Sequence, residues 1–179
     1  MTTKDRVYFD SCCFIDMVKI DLNKDDLTIP EERKNNVWFL KRLSDASFNG
    51  DIEIVTSTVT VAECIHFGDG KIDDKGKDLF MKYLMSGRVV LQVSTDPFVA
   101  ERARDLYWKH NIYLKGADLI HVASAIMTNC SEFITTDERI LKRGKFIDSI
   151  PAINALGLNI IQASESKILP ASYRQEQIV

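Results

Sequence analysis

VYFDSCCFIDM, residues 7–17, packs two kinds of signal into eleven positions. Val7-Tyr8-Phe9 is a short buried-strand signal, and an acid, Asp10, follows it directly. Runs of the same kind recur downstream: Ile52 to Thr56 (IEIVT), Val89 to Val93 (VVLQV), Phe133-Ile134-Thr135, and Leu158 to Ile161. Short β-rich runs of this sort suit strands buried on both faces. Between them the apolar period changes. Leu119, Val122, Ala123, Ile126 and Met127 share one helical face, as do Val99, Ala103, Leu106 and Tyr107. Leu79, Phe80, Tyr83 and Leu84 repeat the pattern more briefly. Phe39, Leu43 and Ala46 mark a further helix that stops at Asn49-Gly50. Strands alternating with helices predict an α/β fold: a central parallel sheet of four to five strands with helices on both faces, three layers in all.

The chain of 179 residues suits one domain, drawn here as residues 1–162 with a C-terminal tail at 163–179. Residues 19–36 are polar, charged and interrupted by Pro30, and predict a loop or a short helical arm. The tail is polar apart from a few apolar positions, with Pro170 inside it, and is expected to dock on the domain or on a partner. Hydrophobic residues at 45% and charged residues at 27% are ordinary for a globular protein with a sizeable core. The first residues do not read as a secretory signal, and no run is long enough for a membrane span. Cys12, Cys13, Cys64 and Cys130 form no C-x-x-C pair, so they read as free thiols of a reducing, cytoplasmic compartment. Net charge is −3, which denies the chain a general basic footprint for nucleic acid unless its carboxylates gather at one site and are neutralised by metal ions.

Ligands of open α/β sheets bind beyond the carboxyl ends of the strands, so the informative residues are those just after each strand. Asp10 and Asp137 follow predicted strands, Asp118 opens a predicted helix, and Glu63 lies in the helix after IEIVT. All four fall near one edge of the sheet. Carboxylates brought together resist joint ionisation. Hard divalent ions remove that conflict, prefer oxygen ligands, and in pairs activate a water and steady a leaving phosphodiester oxygen. Taken singly, each Asp also reads as an N-cap worth about 1 kcal/mol. Capping does not account for Glu63 among apolar neighbours.

With these four motifs in order, the chain resembles the PIN-domain nuclease family, including the VapC-type toxins of bacterial toxin–antitoxin pairs. VYFDSCCFIDM is similar to the opening motif, with Asp10 as its acid and Ser11 as the neighbouring hydroxyl. TVTVAEC resembles the second motif through Glu63, GADLIHVASAI the third through Asp118, and FITTDERI the fourth through Asp137 with Thr135 as its hydroxyl. The resemblance runs from about Val7 to Ile161. It implies endoribonuclease activity with Mg2+ or Mn2+ held by Asp10, Glu63, Asp118 and Asp137. Ser11 and Thr135 would orient ligands or waters. It also implies an RNA substrate, an antitoxin partner, a type II toxin role and a homodimer. Cys12 and Cys13 depart from the small or apolar residues many members carry, and the chain is longer than the shortest toxins.

Other residues rank lower. Glu63 with His66, and Asp118 with His121, have the i, i+3 spacing of di-iron bundles, but strand–helix alternation opposes a bundle. His121 reads instead as packing beside the acidic pocket or hydrogen-bonding within it, and His66 and His110 as surface or helix-end residues. Lys115, Lys142 and Arg143 are the candidate RNA contacts, with Lys145, Arg102 and Arg104 behind them, each set against plain surface charge. Trp38 and Trp108 read as core rather than as base-stacking platforms. Asp69, Asp73, Asp74 and Asp78 read as a solvated loop and helix start. Two functions of other classes compete: a non-catalytic PIN-fold scaffold for RNA or protein, and a phosphotransfer domain using Asp10 as nucleophile. The latter lacks the D-x-D or paired acids it needs at the first strand. A DNA-directed nuclease would need an arch or basic insertion that the chain does not show.

Overall fold

Five short strands carry the architecture: β1 (Arg6–Phe9), β2 (Glu53–Ser57), β3 (Val90–Val93), β4 (Glu132–Ile134) and β5 (Asn159–Ile161). In this computed structural model, which describes residues 4–23, 29–65, 72–137 and 145–175, they form one sheet in the order β3-β2-β1-β4-β5. Every pairing is parallel. All five predicted strands are therefore present, each shifted by a residue or two. The sheet is a three-layer α/β arrangement with helices on both faces, as expected.

Strand alternation sorts the core into two halves. Val7, Phe9, Ile54 and Ile134 face one side, with Phe14, Met17, Leu40 and Leu43 of helices α1 (Ser11–Leu22) and α2 (Glu31–Asn49). Tyr8, Val55 and Phe133 face the other, with Leu106 and Val122 of helices α5 (Pro97–His110) and α6 (Gly116–Met127). Among the described residues the remaining helices are α3 (Thr58–Glu63), α4 (Asp74–Phe80), which runs on into a π-helical turn at Met81–Met85, and α7 (Lys145–Ala155).

Of the stretch expected as a loop or a short helical arm, 19–36, the described residues 19–23 and 29–36 are mostly helix. Its first residues finish α1, and α2 begins at Glu31 directly after Pro30. Pro before a first turn carrying Glu31 and Glu32 is a start signal, because the acids face the positive end of the helix dipole. Polarity at Glu31 to Lys34 marks an exposed helix face. At the other end Gly50 adopts φ 83°, the left-handed cap foreseen at Asn49-Gly50. Residues 163–175 lie against α2 in two 3-10 turns, with Ala163, Ser166 and Leu169 buried. Buried Glu132 holds them, accepting from Ser166 Oγ at 2.6 Å and Lys167 N–H at 2.7 Å.

The sheet order reverses at β1. The chain runs outward through β2 and β3, then returns to the other side of β1 for β4 and β5. The crevice of a parallel sheet opens where neighbouring strands diverge in this way, at their carboxyl ends. Those ends are Asp10 for β1 and Thr135 to Asp137 for β4, and Asp10 N–H still bonds Ile134 O at 3.1 Å across the gap.

Candidate active site

Asp10 is held from both sides. As N-cap of α1 its Oδ1 accepts Ser11 N–H at 2.7 Å, while Oδ2 accepts the Thr135 hydroxyl at 3.0 Å. Cys12 Sγ lies 3.2 Å from the same Oδ2 and 3.2 Å from Thr135 Oγ1. Capping, posed from the sequence as a rival to site membership, holds for Asp10, and the same carboxylate also stands beside Glu63 and His121.

Glu63 closes the short helix α3, and its Oε2 lies 2.8 Å from His121 Nε2. His121 comes from the second turn of α6, with its side chain 2% exposed, and its Nε2 also stands 3.9 Å from Asp10 Oδ1. Its other nitrogen, Nδ1, lies 2.7 Å from the Tyr8 hydroxyl, which accepts Ser57 N–H at 2.9 Å. Asp10, Glu63 and His121 thus bring ligand-capable atoms within 4.8 Å of one another. Two carboxylates beside an imidazole, with no Lys or Arg paired to either carboxylate among the described residues, offer oxygen donors that fit a hard divalent cation.

The charge balance explains the proton positions. The hydrogen bond from His121 outweighs burial and holds the Glu63 carboxyl below its ordinary 4.5. Burial opposes charging of His121, but the bond to Glu63 and the charges of Asp10, Glu63 and Asp118 prevail, so its pKa sits above the ordinary 6.5. Burial pushes the Tyr8 phenol far up, so it stays protonated. Burial, then the charges of Glu63 and Asp10, push the Cys64 thiol up to about 12, which leaves it no thiolate to offer at neutral pH.

A pH prediction follows from the Glu63–His121 pair. The lowered Glu63 pKa stabilises the fold above its ordinary value, and that contribution is lost as pH falls through the folded value. The raised His121 pKa stabilises fully below its ordinary value and is lost as pH rises through the folded one. The melting-temperature gap between wild type and His121→Gln, measured in chelator, should be widest between those two folded values and narrow on either side. A gap constant from pH 3 to 10 would show that the pair contributes nothing through charge.

The other sequence-predicted residues fall around this group. Asp118 sits in the first turn of α6, one turn before His121 on the same helix, but is exposed and outside the 4.8 Å group. It is not the N-cap; Lys115 occupies that position without a side-chain cap. Asp137 is half-buried, its N–H bonded to Thr135 Oγ1 at 3.2 Å. It lines a neighbouring cavity of about 390 Å³ together with Cys12, Lys19, Arg33 and Thr136. Ser11 Oγ is 3.5 Å from Asp10 Oδ1. Lys115 is exposed at the start of α6. Lys142, Arg143, His66 and Asp69 lie outside the described residues. Asp73 caps α4 through Gly76 N–H, in keeping with its reading as a helix start.

Trp108 corrects the expectation of a core residue: it is 69% exposed, with the Arg104 guanidinium over its ring, 5.1 Å from the centroid. Its position on α5 puts it on the face turned away from Val99, Ala103 and Leu106. Tyr8 and Ser57 were passed over. The available signal was that a Tyr in a buried strand must find a partner for its hydroxyl.

A family model for the PIN domain matches residues 7–146. No curated protein matches the chain.

Proposed function

The chain belongs to the PIN-domain family, whose members are generally nucleases, and on that footing we propose that it is a metal-dependent endoribonuclease that hydrolyses RNA phosphodiester bonds. The observation that carries the reading is the meeting of Asp10 and Glu63, from separate βα units, at the point where the sheet order reverses. Asp10 and Glu63 hold Mg2+ or Mn2+, with Asp118 and Asp137 completing the acidic rim directly or through water. A divalent ion bound there supplies Lewis-acid charge that lowers the pKa of a water and offsets charge building on the phosphoryl oxygens.

The protein's own groups do the positioning. Ser11 N–H and the Thr135 hydroxyl fix the two oxygens of Asp10, so its orientation costs nothing at the moment of reaction. Lys115, and Lys142 and Arg143 further along, contact substrate phosphates. Lys19 on the wall of the adjoining cavity adds one positive charge near the site, while Arg33 beside it is ion-paired with Asp16. A cytoplasmic compartment is part of the same proposal and is supported by the free cysteines; among the described residues no helix is long and apolar enough to cross a membrane. The same resemblance extends the proposal to a type II toxin, acting as a homodimer and restrained by an antitoxin. Co-purification with the product of an adjacent gene for a small DNA-binding protein tests that part.

The central test is Mn2+ itself. Saturating Mn2+ at about 100 times its dissociation constant should stabilise the fold by about 2.7 kcal/mol, and EDTA should remove both this gain and cleavage of a mixed RNA pool. A melting curve indifferent to Mn2+, with cleavage that survives EDTA, would favour a non-catalytic scaffold and a contaminating nuclease.

A further inference from the structure

We propose that His121 is a positioning residue for the Glu63 carboxylate and not a metal ligand, and that it is set in this role by a relay running from the Ser57 backbone through the Tyr8 hydroxyl. The proposal rests on the metal-dependent reading above and deepens it by assigning the nitrogen that faces the carboxylates.

Hydrogen-bond direction decides the matter. An ionised carboxylate only accepts, so the 2.8 Å contact between Glu63 Oε2 and His121 Nε2 requires the hydrogen to sit on Nε2. Tyr8 supplies the reason it sits there. Its oxygen already accepts Ser57 N–H at 2.9 Å, which leaves its single hydrogen to give, and Nδ1 lies 2.7 Å away. Nδ1 therefore accepts and Nε2 donates. In the doubly protonated ring Nε2 keeps its hydrogen, and the Tyr8 oxygen takes the Nδ1 N–H instead. In both charge states Nε2 has no lone pair for a cation.

The relay is rigid along its length. Tyr8 stands on the central strand with its ring stacked on Phe133 at 5.1 Å and an interplanar angle of 12°, and Ser57 ends β2 and caps α3. The His121 ring meets Tyr8 edge-on at 5.8 Å and is closed off from solvent. Glu63 needs such a hold. It is the last residue of a six-residue helix, its side chain is 34% exposed, and its rotamer freedom would otherwise be lost only on binding the ion. Groups that orient a metal-binding side chain typically change affinity by about 10- to 100-fold.

Three variants separate the possibilities. His121→Leu removes the donor, His121→Gln offers an amide N–H in its place, and Tyr8→Phe keeps the ring packing while cutting the relay. Mn2+ affinity would be read by EPR titration, directly bound nitrogen by pulsed EPR, and the tautomer of the neutral ring by 15N NMR without metal. His121→Leu is expected to weaken Mn2+ binding by about 10- to 100-fold and His121→Gln to recover most of it. Wild type should show no directly bound imidazole nitrogen and a hydrogen on Nε2, with that preference weakened but not abolished in Tyr8→Phe, where the Glu63 carboxylate still calls for it. A nitrogen coupling that disappears in His121→Gln would make His121 a ligand and overturn the proposal while leaving the metal reading intact. Unchanged affinity in His121→Leu, or a wild-type ring with its hydrogen on Nδ1, would also overturn it. Wild type that fails to bind Mn2+ at all would bring down the metal reading and this proposal together.

Discussion

Asp10→Asn should cost RNA cleavage at least about 100-fold, beyond what loss of a merely orienting partner gives, and should leave the melting temperature in chelator nearly unchanged. The two halves of that expectation come from the two tasks of one side chain. As N-cap of α1, Asp10 accepts Ser11 N–H, and Asn caps a helix about as well as Asp. As part of the cluster with Glu63 and His121, it supplies negative charge that an amide cannot. Asp118→Asn should lose less, because Asp118 is exposed and stands outside that cluster. Initial rates on a mixed RNA pool with Mn2+, alongside melting curves, would check both. Equal cutting by Asp10→Asn and wild type would remove Asp10 from the chemistry.

Phe133→Ala is expected to be the most damaging single change to the fold, at roughly 3–5 kcal/mol. Phe133 lies on β4 between β1 and β5, is buried, and packs with Tyr8 and Ile160 in the core half that faces α5 and α6. For a domain of this size each kcal/mol shifts the melting temperature by roughly 2–4 °C, so a fall of about 10 °C is the scale to look for. The cavity would also undercut the ring of Tyr8, so residual activity in folded Phe133→Ala should decline further than the folded fraction does. A melting temperature within a degree or two of wild type would mean that the sheet closes over the gap.

The fold was legible because its signals are local. Val7-Tyr8-Phe9 or IEIVT needs no distant partner to read as strand, and the change to helical period at Leu119 names the next element. Asp10, Glu63, Asp118 and Asp137 could be placed at one edge by topology alone. How near each stands to the others could not, since this depends on where in a helix turn each acid falls. Glu63 meets His121 because one ends α3 and the other is a turn inside α6. Tyr8 and Ser57 escaped notice for a similar reason: strand alternation shows which face a side chain takes, but not which backbone N–H its far end will reach. The helical start at Glu31 was masked by polarity, which exposed helix faces and loops share. Trp108 misled because bulk favours burial on average, while its place on α5 is set by Val99, Ala103 and Leu106 on the opposite face.

The reversal of strand order at β1 carries a consequence for synthesis. β1 leaves the ribosome before the other strands of this sheet, yet one of its two flanking strands, β4, follows only after β2 and β3. Thr135, which pins Asp10, and His121, which engages Glu63, emerge long after the acids they orient. A growing chain therefore carries its acids without their supports, and a ribosome-tethered fragment ending before α6 should be inert toward the very RNA that surrounds it.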